Sequence, residues 1–114
     1  MGRLTYFRSA ETIAESLRMA LGAYTAVPGR EAEQGLYRGI HDMWGYAYFA
    51  IQNADGQQWN DLSQEILATL KATEQRPGVE PRIVVQAAAR LIARFEHMAG
   101  VTLKTAPVSP FLSL

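Results

Sequence analysis

Three pieces of backbone punctuation constrain this chain more than any other feature: Pro28-Gly29, Ala54-Asp55-Gly56, and Pro77-Gly78 with Pro81 just beyond. Proline lacks an amide hydrogen and clashes with the helical turn before it, while glycine reaches conformations closed to other residues, so each cluster ends or opens an element. Between the breaks, apolar side chains recur every three or four residues, the period of a helix with one buried face. Four such segments with short connections predict one all-α domain. The expected architecture is an up-and-down four-helix bundle over residues 1–104, with an extended, proline-containing C-terminal tail over 105–114.

The first helix should start after Ser9, whose hydroxyl can accept an unpaired backbone N–H, with Glu11 in the first turn favoured by the helix dipole. Ile13, Leu17, Leu21 and Tyr24 then share one face, and Glu15, Ser16 and Arg18 fall outside it. The second segment, from about Glu31 to Asn53, carries two parallel stripes: Leu36, Ile40, Met43, Ala47 and Ile51, and then Tyr37, His41, Trp44 and Tyr48 one residue on. A face this wide marks the central helix. Gly35 and Gly39, four residues apart within it, offer a place where a neighbouring backbone can approach closely. The third helix should open at Asp55 or Gly56, bury Trp59, Leu62, Ile66, Leu70 and Thr73, and stop at Pro77-Gly78. The fourth runs between Pro81, suited to a first helical position, and Gly100, suited to a left-handed terminus. Its buried face is Val84, Ala87, Ala88, Leu91, Phe95 and Met98.

Outside the helices, Leu4-Thr5-Tyr6-Phe7 and Val101-Thr102-Leu103 have strand-like composition and are short enough that only pairing with each other would hold them. In the tail, Pro107 and Pro110 exclude a helix, yet Val108, Phe111, Leu112 and Leu114 remain apolar. Such a segment can strap its own core or dock on another protein.

The chain has no cysteine, so disulfides, thiolate nucleophiles and cysteine-ligated metal or iron–sulfur centres are excluded. Eleven basic and eleven acidic residues cancel, which removes a global attraction for nucleic acid and leaves only local patches to consider. No stretch is long and apolar enough to span a membrane, and residues 1–8 lack the apolar run of a secretory signal, so the expected location is cytoplasmic. There is no Glu-x-x-His pair, phosphate loop or nucleophile elbow, and no second histidine at helical spacing from His41; no cofactor or metal is expected and no catalytic residue is assigned.

Two surfaces remain as candidate sites. On the second helix, Tyr37, His41, Trp44 and Tyr48, with Tyr46 and Phe49 nearby, combine large contact area with polar tips, the chemistry of a protein-binding hot spot; the alternative is the margin of a helical core. On the fourth, Arg82, Gln86, Arg90, Arg94 and His97 form a basic strip opposite the apolar face, while Asp42, Asp55, Asp61 and Glu65 lie in a stretch without lysine or arginine. That dipolar layout suits docking to phosphates or to a charged protein; the alternative is a bundle whose helices pair their charges. Arg90 and His97, seven apart, share a helix face, and a cation beside an imidazole can cleave RNA without metal. In this the segment Arg90-Leu91-Ile92-Ala93-Arg94-Phe95-Glu96-His97 resembles the arginine–histidine signature of the HEPN ribonucleases, which implies a helical ribonuclease. Leu91 stands where that family usually carries a polar residue.

The leading expectation is a non-enzymatic protein-binding protein. It would be a small subunit of a larger assembly, or an inhibitor or immunity-type blocker, that engages another protein or a second copy of itself. Its contact residues would be Tyr37, His41, Trp44, Tyr48, Phe111, Leu112 and Leu114. The alternatives are a nucleic-acid-associated subunit using Arg82, Arg90, Arg94 and His97, and the HEPN-like ribonuclease.

Overall fold

The computed structural model of the protein describes residues 8–53 and 56–101. The expectations for Leu4 to Phe7 and for the tail, including Phe111, Leu112 and Leu114, fall outside these residues. Four helices follow one another: α1 (Ala10–Ala26), α2 (Arg30–Asn53), α3 (Gly56–Ala72) and α4 (Pro81–Ala99). Connections of a few residues reverse the chain each time, so sequential helices run antiparallel. α1 packs on α2 and α4, and α3 packs on α2 and α4, which closes the four into an up-and-down bundle.

The local signals act where the sequence places them. Ser9 Oγ accepts the Thr12 amide at 3.1 Å from an extended backbone and so satisfies one unpaired N–H at the start of α1. Pro81 opens α4, and Gly100 closes it at φ 68°, ψ 33°. The Gly100 amide reaches the His97 carbonyl at 3.3 Å and the Val101 amide reaches the Glu96 carbonyl at 3.0 Å, the paired bonds of a Schellman terminus, with Val101 packed against the core. α3 departs from expectation: it ends at Ala72, before Pro77-Gly78. The Thr73 hydroxyl donates to the Thr69 carbonyl at 2.8 Å and the Gln75 amide closes on Leu70 at 3.0 Å, so the chain leaves the helix by local hydrogen bonds before proline is reached.

The core lies along the bundle axis and contains Ile13 and Leu17 of α1, Leu36, Ile40, Met43 and Ala47 of α2, Leu62, Ile66 and Leu70 of α3, and Val84, Leu91 and Phe95 of α4. At the end holding the α2–α3 connection, aromatic rings complete it: Phe95 meets Tyr46 edge-on at 5.5 Å and Trp59 edge-on at 6.1 Å. Leu21, Ile51, Ala87 and Met98 are only half-buried, and Ile92, outside the expected stripe of α4, is fully buried. Gly39, unlike Gly35, is a true close approach: a side chain there would run into Leu17 of α1. Among the described residues, no helix is long and apolar enough to cross a membrane.

Candidate functional site

The second stripe of α2 divides into a buried part and an open part. Tyr37 is 5% exposed and belongs to the core. Its hydroxyl lies beside Thr73, in the turn after α3, without a hydrogen bond of regular geometry. Burial raises its pKa first; the Thr73 hydroxyl opposes that rise, and the charges of Glu33 and Glu74 add to it. Tyr37 therefore cannot meet a partner while the bundle is closed, and the candidate surface shrinks to the other three residues.

Trp44 is half-buried and its ring stacks on Tyr48 at 5.3 Å, with 19° between planes. Tyr48 is 52% exposed, so this stacked pair presents an aromatic shelf to solvent with its inner ring anchored in the fold. Trp44 Nε1 is buried and has no hydrogen-bond acceptor, an unusual state for an indole nitrogen. His41 is exposed one turn earlier and its Nε2 lies 2.8 Å from Glu74 Oε1, which ties α2 to the turn after α3. Tyr46 and Phe49 lie elsewhere on the helix, half-buried, with Tyr46 in the aromatic end of the core.

The strip on α4 is largely answered by carboxylates. Arg94 pairs with Glu65 of α3, and Arg82 pairs with Glu80 at 3.2 Å. Arg90 and His97 are exposed and make no ion pair among the described residues, while Glu96, between Arg90 and His97 in sequence, accepts both ends of the Arg18 guanidinium at 2.6 Å. That fork holds the Arg18 pKa up, through the hydrogen bond first and the charge of Glu96 besides. Asp42 likewise takes Arg8 at 2.6 Å. The charge separation seen along the sequence is thus partly cancelled in space, because acids of the stretch between Gly39 and Leu70 are met by Arg94 of α4 and by Arg8, two residues before α1. A shallow groove beside this region is lined by Gln58, Ala93, Arg94, His97 and Met98; Arg90 is not among its walls.

Two features escaped the sequence reading. Met19 of α1 and Val27 just after it are each 72% exposed, in a stretch with no charged residue between Arg18 and Arg30; that missing charge was the available signal. The second is a pair of adjoining grooves where the α1–α2 and α3–α4 connections meet, both walled by Arg30, Glu33 and Glu74. No spacing rule reveals it, since its walls come from segments far apart in sequence. Among the described residues, no three histidine, aspartate or glutamate side chains converge as metal ligands. Comparison with known protein families, with curated proteins and with solved structures finds no match to this chain.

Proposed function

We propose that this chain is a non-enzymatic protein-binding domain, a small subunit of a larger assembly or an inhibitor or immunity-type blocker, that docks its partner on the open part of the α2 stripe. The stacked Trp44–Tyr48 pair carries this reading: it is a large aromatic surface, ordered from below and open above. An anchored ring loses little entropy on binding, and such residues concentrate binding energy at interfaces. His41 supplies a polar rim to the shelf, and Phe111, Leu112 and Leu114 supply a second apolar contact from the tail. Against the nucleic-acid alternative stands the pairing of Arg94 and Arg82 with carboxylates, which leaves Arg90 and His97 as its support.

The test is a pull-down from native extract with the full chain, the chain truncated after Lys104, and full-length Tyr48→Ala, followed by mass spectrometry and a nucleic-acid stain. Because Tyr48 is half exposed, the variant should keep its fold, checked by its helical circular dichroism. A specific protein partner should be recovered, and its affinity should fall about thirtyfold with Tyr48→Ala, as truncating a hot-spot tyrosine costs about 2 kcal/mol or more. A partner indifferent to Tyr48→Ala, or nucleic acid alone, overturns the assignment to this face.

A further inference from the structure

The aromatic shelf of α2 continues onto α3. Two contacts fix the antiparallel register of that pair: Tyr37 stands beside Thr73, and His41 Nε2 lies 2.8 Å from Glu74 Oε1. From there toward the α2–α3 connection, α2 presents Trp44 and then Tyr48, while α3 presents Leu67, which is exposed and falls between the buried Ser63 and Leu70 in the helical repeat. The register sets Leu67 level with Trp44. Trp44, Tyr48 and Leu67 thus make one apolar strip, open among the described residues. Neither residues 43–54 nor residues 66–70, which contribute it, include a lysine, arginine, aspartate or glutamate.

The chain itself supplies an occupant of matching chemistry. α2 and α4 run in the same direction, so Val101, just past α4, leaves the bundle at the end where α2 stops, and Tyr48 is five residues short of that stop at Asn53. The other exposed large apolar side chains are farther away: Val27 and Ile83 stand at the opposite end, and Met19 is nine residues into α1. Crossing two helix widths and climbing to Tyr48 is a path on the order of 25 Å. Phe111 is the tenth residue after Val101, and ten extended residues span at most about 33–36 Å. Pro107 and Pro110 favour such an extended backbone, and residues 105–114 are as uncharged as the strip. The nearer groove on α4 fits them less well, because Arg94 and His97 are in its walls and an apolar segment would strip water from them.

We propose that in the free protein the segment Pro107 to Leu114 folds back onto this strip and seats Phe111, Leu112 and Leu114 on Tyr48, Trp44 and Leu67. Burial of apolar surface on both sides drives the contact, and no charge has to be desolvated to make it. Its consequence rests on the partner-docking role proposed above: the segment is a strap that a partner must displace, and displacement exposes the three apolar side chains as the second contact.

The experiment is NMR of the full-length, isotope-labelled chain without any partner, so its failure leaves partner docking standing, and a failed pull-down leaves the strap standing. Nuclear Overhauser contacts should join the Phe111 ring to side-chain protons of Tyr48, Trp44 or Leu67 and should be unchanged on dilution. Phe111→Ala with Leu112→Ala should shift the side-chain signals of Trp44 and Tyr48 and leave the indole N–H of the buried Trp59 in place. Tyr48→Ala, at an exposed position that should not disturb the fold, should return the Phe111 signals to those of an unstructured chain. The proposal is overturned if Phe111 shows no contact with these three residues, if its contacts are to Met98 or His97 instead, or if they fade on dilution, which would give the strip to a second copy.

Discussion

A methyl group on Gly39 would sit 2.8 Å from Leu17 Cδ2 and 3.2 Å from its Cγ, whereas one on Gly35, a helical turn earlier, meets nothing within 4 Å. Leu17 is fully buried, so its side chain would have to shift within the core to make room. Overpacking of this kind costs about 1–3 kcal/mol, which exceeds the gain of about 1 kcal/mol from replacing a helical glycine. Gly39→Ala should therefore lower stability by about 1 kcal/mol and Gly35→Ala should raise it by about 0.5–1 kcal/mol, read as opposite shifts of the urea midpoint. Equal shifts would mean that α1 and α2 are not in close contact at this point. In sequence the two glycines are equivalent, and only the position of Leu17 on the facing helix separates them. Tyr37 and Tyr48 teach the same point, since they belong to one stripe, yet Tyr37 is buried and Tyr48 is half exposed.

At the scale of the element, helix starts and stops depend on whether a side chain closes the first or last turn. Ser9 does so for α1; Glu80, at the equivalent position of α4, makes no capping bond. Ser9→Ala should cost about 1 kcal/mol, while Glu80→Ala should change stability by less than about 0.5 kcal/mol, because its exposed pair with Arg82 is worth little. Thermal denaturation of both variants decides this, and a Ser9→Ala protein of unchanged midpoint would remove the cap from the account. Caps and glycine termini are legible because they act within four or five residues. The end of α3 was not, because neither proline nor glycine stands there and the chain leaves the helix as the Gln75 amide reaches the Leu70 carbonyl.

For the whole molecule, burial of phenols sets a limit at high pH. Tyr24, Tyr37 and Tyr46 all have raised pKa values, in each case through burial first; Glu33 adds to Tyr24 and Tyr37, and Glu11 adds to Tyr46. A raised phenol binds its proton more tightly when folded, so its contribution to stability is complete below the unfolded value of about 10 and is lost as pH rises through the folded one. The bundle should keep its urea midpoint from neutral pH to about 9 and lose it progressively above about 10, with tyrosinate absorbance appearing together with loss of helix. Tyr37→Phe should flatten the alkaline decline; an unchanged slope would show that Tyr37 ionises without unfolding. The sequence alone determined the number of helices, their limits at Ser9, Pro81 and Gly100, and the apolar faces of the core, because each rests on periodicity or on hydrogen bonds a few residues long. The tertiary structure decided which half of the α2 stripe stays open and which arginines find carboxylates, because charge pairing and burial depend on what a different helix places opposite each side chain.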